Sequence, residues 1–195
     1  SKASEVQNGM CFQSRPTVRD HAGTFFWKSK DITMTSLDIH FLHGFGMVGQ
    51  HSENITMDDV DFEAPKESGR TTAGYADFVQ MSGCKGTINI SNCTFAGPHD
   101  DPINIHGTFN TVTAISSDRR TITVQYNHNE TAGFPNFFEG DEIEFMTKGN
   151  MITVEDSVRT VTKVDGPDGM GGNMGDGSGS LTTIKLTLNE AVPSD

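Results

Sequence analysis

The sequence predicts an all-β chain, with a right-handed parallel β-helix over residues 1–108 and a small antiparallel β-barrel or sandwich over residues 109–195. Three observations carry this. Gly, Thr, Ile and Val are frequent and there is almost no run of helix formers. Apolar residues recur at offsets 0, 2, 5 and 7 in three separate blocks. The turns between alternating segments are too short to hold a crossover helix.

The blocks are Ile32, Met34, Leu37, Ile39; then Ile55, Met57, Val60, Phe62; then Ile88, Ile90, Cys93, Phe95. Upstream of each lies a second short segment: FFWKSKDI from Phe25, VGQHSENI from Val48 and VQMSGCKGTI from Val79. They align at turns containing Ser29, Ser52 and Gly83, and INIHG from Ile103 supplies a fourth copy. The resulting column, Phe25, Val48, Val79, Ile103, advances by 23, 31 and 24 residues and is expected to face inward. A strand–turn–strand unit of that period buries its inward side chains only by stacking on its neighbours, as in a β-helix. The extra length of the second coil falls in EAPKESGRTTAGYA, a polar corner loop of the kind that carries ligand contacts or is simply tolerated.

After His106 the repeat stops. TVTAISSDRRTITVQYNHNE reads as a hairpin turning at Ser117-Asp118, and FFEGDEIEFMT, MITVEDSVRTVTKV and LTTIKLTLNE read as further alternating strands. The glycine-rich stretch 165–180 reads as a hairpin loop, because it holds one copy of a calcium-repeat-like string without the repeat's spacing. The chain ends on AVPSD with no closing cap, as a piece of a longer protein would.

Bulk properties narrow the partners. With a net charge of −12 and only 14 scattered Lys and Arg, the chain lacks the basic stripe that nucleic acid or an anionic membrane surface requires. No apolar run approaches the roughly 18 residues of a membrane span. Residues 1–20 show no signal-peptide pattern, so an export signal is either already removed or never existed. Cys11, Cys84 and Cys93 are too few for a disulfide scaffold or a cysteine zinc site, and Cys93 reads as a small core residue.

The densest chemistry is GPHDDPINIHGT, residues 97–108. Aligning Val79 with Ile103 puts Asp77 and Asp101 at one position of successive coils, with Asp100 beside them. Neighbouring coils lie about 4.8 Å apart. Carboxyls that close raise one another's pKa and supply a general acid beside a general base. Two of them with room for water between are the equipment of inverting glycoside hydrolysis. The bland reading is that the Asp pair caps backbone N–H groups of a turn. Asn104 and His106 fall on the outer face with Gln80 and Ser82 one coil below, and with His99 the residues Asn104, His106 and Gln80 are expected substrate contacts. A calcium site from Asp77, Asp100, Asp101 and His99 is conceivable, as in β-helix lyases. Those enzymes also need a base and a cation for a uronic acid, and no Lys or Arg lies in 97–108 or 75–83, so no metal and no cofactor is expected.

The run RTTAGYADFVQMSGCKGTINISNCTFAGPHDDPINIHGT resembles the core of glycoside hydrolase family 110, bacterial exo-α-1,3-galactosidases. GFGMVGQHSENI before it and HNETAGFPNFFEGDEIEFM after it are also similar, and the likeness covers roughly residues 15 to 165. It implies a β-helix interrupted by β-barrel domains, and cofactor-free inverting hydrolysis of terminal α-1,3-linked galactose in a secreted or periplasmic bacterial protein. A more distant similarity to polygalacturonases, which carry one Asp on one coil and an Asp pair on the next, implies that the catalytic carboxylates are Asp77, Asp100 and Asp101. Asp77 stands in YADF rather than after Asn-Thr, and no Arg-Ile-Lys element follows, which argues against pectin. One of Asp100 and Asp101 would protonate the glycosidic oxygen while the other, with Asp77, activates water. The ligand would be a galactose-terminated oligosaccharide. The alternatives are a non-catalytic carbohydrate-binding or structural β-helix of a larger secreted protein, and another β-helix polysaccharide hydrolase or lyase. Trp27 is expected to pack at the N-terminal edge, His51 to share a row with Ser82 and His106, and Arg70 to be the cation nearest the carboxylates in sequence.

Overall fold

The computed structural model describes residues 5–12, 14, 19, 21–128, 131, 135–167 and 183–194. The chain divides into two compact units, Ser1–Gly107 and Thr108–Asp195. Among the described residues all regular structure is strand, apart from one short 3-10 turn at Lys66–Ser68, and no helix is long and apolar enough to cross a membrane.

In the first unit the strands alternate between two parallel sheets. One contains β1 (Thr24–Trp27), β3 (Met47–Gln50), β5 (Val79–Ser82) and β8 (Ile103–His106), in that order. The other contains β2 (Lys30–Ile39), β4 (Glu53–Phe62) and β6 (Lys85–Ser91), with β7 (Thr94–Phe95) also paired to β4. Each rung therefore gives one strand to each sheet before the chain steps up.

The offsets 0, 2, 5 and 7 now have a physical cause. Ile32 pairs with Ile55, Met34 with Met57, Leu37 with Val60 and Ile39 with Phe62, and the next rung stacks Ile88 on Ile55 and Phe95 on Phe62. Strict alternation would give 0, 2, 4, 6. A left-handed residue at offset four (Ser36, Asp59 and Asn92, φ 53°, 59° and 53°) bends each strand and delays the next inward position by one. Side chains link these bends between rungs. The Ser36 hydroxyl donates to Asp59 at 2.8 Å, and the Asn92 amide donates to Asp58 at 2.7 Å. A second left-handed column, Asp31, Asn54 and Gly86, is tied by the Asn54 amide donating to Asp31 at 2.8 Å.

Inside this winding lie Met47, Ile55, Met57, Val60, Phe62, Ala73, Phe78, Val79 and Met81. Phe78, Phe62 and Phe95 form an aromatic column, with ring centroids 5.4 and 5.1 Å apart and planes within 16° and 11° of parallel. Full burial of a phenylalanine side chain contributes roughly 1.5–3 kcal/mol. Because Phe78 follows Asp77 directly, the column also anchors the backbone at the candidate site.

Pairing in the site-bearing sheet departs from the expected column at one step. Phe25 pairs with Val48 and Val79 with Ile103, but Val79 pairs with Met47 rather than Val48. A slip of one residue reverses which face a side chain takes. Phe26, Met47, Val79 and Met81 accordingly belong to the core, whereas Phe25 is 55% exposed and Val48, although buried at 8% exposure, lies on the opposite face with it. Trp27 is likewise an exposed outer-face residue rather than edge packing. His51 leaves the row of Ser82 and His106, because Gln50 takes that place; His51 sits at the turn, its ring against Gly83.

The second unit is a five-stranded antiparallel sheet, ordered β11 (Glu142–Ile143), β12 (Arg159–Asp165), β13 (Thr183–Leu188), β10 (Thr121–Tyr126), β9 (Asn110–Ile115). The hairpin between β9 and β10 turns where Asp118 accepts bonds from the Ser116 hydroxyl (2.6 Å) and the Arg120 N–H (3.1 Å). Its core gathers Ile122, Val124, Tyr126, Val161, Ile184, Leu186, Leu188 and Val192, and burial pushes the Tyr126 phenol up to about 12. The expected hairpin loop over 165–180 lies mostly outside the described residues.

Candidate functional site

The site is built where the chain returns from the packing sheet to the outer sheet. The corner segments 40–46, 63–78 and 96–102 stack there, and hydrogen bonds continue beyond the strands proper. Gly23 N–H donates to the Gly46 carbonyl at 2.7 Å, Met47 N–H to Phe78 at 2.9 Å, and Phe78 N–H to Asp101 at 3.1 Å. Val79 N–H donates to Pro102 at 3.3 Å. This ladder fixes the backbone of Asp77–Phe78 against that of Asp101–Pro102, one rung apart.

Close stacking requires a glycine below. Gly46 has φ +73°, and a Cβ there would run into the carbonyl oxygens of Asp77 and Phe78. One rung higher, Gly97 (φ +64°) lets the corner before His99 approach the Thr71 carbonyl, where a Cβ would stand only 2.7 Å away.

Asp77 is 3% exposed. Its Oδ2 accepts a hydrogen bond from the Asn104 amide at 3.3 Å, and its Oδ1 is buried without a hydrogen-bond partner among the described residues. Burial pushes the Asp77 carboxyl above the usual carboxylate range; the Asn104 bond opposes this, Asp100 adds to it, Arg19 opposes and Asp101 adds. A buried carboxyl lacking half its hydrogen bonds is uncommon in a structural role, since orphaned polar groups cost stability. Asp100 and Asp101 are exposed, so the corner holds one desolvated and two water-facing carboxyls.

The remaining expected contacts separate. Asn104 and Gln80 pair in register on the outer face, where Asn104 reaches Asp77 directly. Gln80 Nε2 lies 3.5 Å from His106 Nε2, and His106 Nδ1 is 2.9 Å from the Gly107 carbonyl. His99 is half-buried, and its Nδ1 has no partner among the described residues. Among the described residues no three His, Cys, Asp or Glu side chains converge in a metal-binding arrangement.

Two cations near this corner differ in what they reach. Arg70 does not reach the carboxylates; its guanidinium lies over the exposed Phe41 ring, 4.1 Å from the centroid. Arg19 forms an ion pair with Asp100, from 81 residues away in sequence. It lies before the first repeat, and no local pattern connects it to the Asp pair.

A family model described as GLAA-B beta-barrel domain II matches residues 121–167, within the antiparallel unit. The chain is 48% identical over 192 residues to alpha-1,3-galactosidase A of Streptomyces avermitilis, covering 98% of this chain and 30% of that relative. It is 45% identical over 187 residues to alpha-1,3-galactosidase A of Peterkaempfera griseoplana, covering 95% and 25%. To alpha-1,3-galactosidase A of Bacteroides thetaiotaomicron it is 46% identical over 143 residues, covering 73% and 25%. The chain thus spans between a quarter and a third of the length of these curated relatives.

Proposed function

We propose that this chain carries the acid–base site of an inverting exo-α-1,3-galactosidase of glycoside hydrolase family 110, within a longer protein. Unit one is then a stretch of right-handed parallel β-helix, and unit two a barrel-like domain that follows it in the sequence. The observation that carries the reading is the buried Asp77, its Oδ1 unpartnered, one rung below the exposed Asp100 and Asp101. The names of the relatives support galactose as the sugar.

The chemistry follows from the contrast among the three carboxyls. A carboxyl pushed up by burial is a stronger base than one in water, closer to the working pH at which general catalysis is efficient. Among the described residues Asp77 Oδ1 has no donor competing for it while Asn104 holds Oδ2, so Oδ1 is the oxygen assigned to take the proton of the attacking water. One of Asp100 and Asp101 protonates the departing glycosidic oxygen, and the other helps orient the water. The water's oxygen bonds to the anomeric carbon as the glycosidic bond breaks, and configuration inverts because attack comes from the opposite face. Gln80, Asn104, His99 and His106 offer donors and acceptors for sugar hydroxyls. A neutral galactoside also suits a chain of net charge −12 better than a polyuronate does. No metal or cofactor enters the scheme, and a terminal-galactose glycan outside the bacterial cell is the proposed substrate.

The test is galactose release from an α-1,3-galactosyl disaccharide by the full-length protein. Asp100→Asn and Asp101→Asn should each lower kcat by about 10²–10⁴, the usual contribution of a positioned acid or base. Absence of activity, or activity undiminished in both variants, would return the pair to a turn-capping role.

A further inference from the structure

Arg19 has no place in the scheme above, yet its position is closely defined. Its guanidinium pairs with Asp100 Oδ2 and lies over the Phe45 ring, 5.5 Å from the centroid. Phe45 is itself buried, and its N–H donates to the His21 carbonyl at 2.9 Å. The residue after it, Gly46, is the one packed against the Asp77 carbonyl. One planar cation therefore bridges two corner segments, 40–46 and 96–102, with an aromatic face on one side and a carboxylate on the other. That combination suits a guanidinium and not an ammonium.

Fold stability does not account for it. The Arg19 and Asp100 side chains are 30% and 43% exposed, and ion pairs in that setting contribute little to stability. The charge has a local use instead. Asp77, Asp100 and Asp101 meet at one corner, where Asp100 and Asp101 disfavour the ionised form of Asp77. The charged groups acting on Asp77 are Asp100 and Asp101, which raise it, and Arg19, which lowers it; Asn104 is its neutral hydrogen-bond donor.

We infer that Arg19 is a positioning residue of the carboxylate cluster: it fixes the orientation of Asp100 against Phe45 and supplies the countercharge that lets three carboxyls share one corner. Its catalytic consequence rests on the galactosidase reading, whereas its structural consequence does not, so two measurements on the full-length protein separate them. The first is the rate of carbodiimide-promoted amine labelling of Asp100, read by peptide mass spectrometry. Asp100 should label several-fold faster in Arg19→Gln than in wild type, and Arg19→Lys should fall between. This readout needs no turnover, and equal labelling in all three proteins would overturn the inference. The second is the pH profile of galactoside hydrolysis. Loss of Arg19 removes a lowering influence on Asp77, so the acidic limb of kcat/KM should move to higher pH in Arg19→Gln. With it, kcat should fall about tenfold or more while KM stays within about twofold, and Arg19→Lys should restore the limb and part of kcat. An unmoved limb, or a fall in kcat matched by a loss of melting temperature in both variants, would make Arg19 a structural residue and overturn the inference.

Discussion

The two parallel sheets of the first unit are wound from the same rungs, yet they dispose of their polar groups in opposite ways. In the sheet of β2, β4 and β6 the inward residues of the middle strand, Ile55, Met57, Val60 and Phe62, are all at 0% exposure. The polar groups outside them pair with one another from rung to rung, as Ser36 does with Asp59 and Asn54 with Asp31. The sheet of β1, β3, β5 and β8 ends in Ile105, an inward-column residue still 50% exposed. At its corner Asp77 Oδ1 and His99 Nδ1 are buried without partners among the described residues. Both sheets bury an apolar ladder, Met47, Val79 and Met81 in this one, so the contrast teaches that unspent hydrogen-bonding capacity, not burial, is what sets the corner of this sheet apart.

Substitutions in the two sheets should separate these properties. The largest stability effect is expected from Phe62→Ala, which removes the middle ring of the Phe78–Phe62–Phe95 column and should cost about 3–5 kcal/mol in denaturant unfolding. A loss below about 1 kcal/mol would show that the column is not the anchor of the winding.

Asp77→Asn should act in the opposite sense. Asp77 titrates above its unfolded value of about 3.9, so burying it is free of charge cost below that pH and becomes unfavourable as pH rises through its folded value. The neutral, isosteric variant should therefore melt higher than wild type at pH 7 while losing activity, and the gain should vanish at pH 3. A gain equal at both pH values would mean that desolvation of the charge is not what distinguishes this residue.

The smallest effect is expected from Ser36→Ala. It removes one exposed hydroxyl–carboxylate bond and should cost roughly 0.5–1.5 kcal/mol, with kcat and KM unchanged. A change in kcat there would blur the division between the sheets.

Legibility in the sequence follows the same division. The apolar ladder at Ile32, Ile55 and Ile88 was readable because only one face of those strands is apolar, so a single register buries it. In the other sheet Phe25, Phe26 and Trp27 run together, and Met47 and Val48 are both apolar, so alternation leaves the face undecided. The long corner loop between β4 and β5 then hides a one-residue step, so that spacing points to Val48 where Met47 belongs. The next step, Val79 to Ile103, was short and clean, which is why the alignment of Asp77 with Asp101 could be drawn from spacing alone. Burial of Asp77 could not be, because it depends on Gly46 and the corner loops closing around it. Arg19 was invisible for a plainer reason: its contact with Asp100 crosses 81 residues and starts outside the repeat.

The central claim is that carboxyls from two successive rungs act together as one inverting acid–base site. Proton NMR of the first minutes of α-1,3-galactosyl disaccharide hydrolysis by the full-length protein tests it most directly. The account predicts that β-galactose appears first, ahead of mutarotation, and that the signal is lost in Asp77→Asn and Asp101→Asn alike. First appearance of α-galactose, or a β-galactose signal undiminished in both variants, would contradict it.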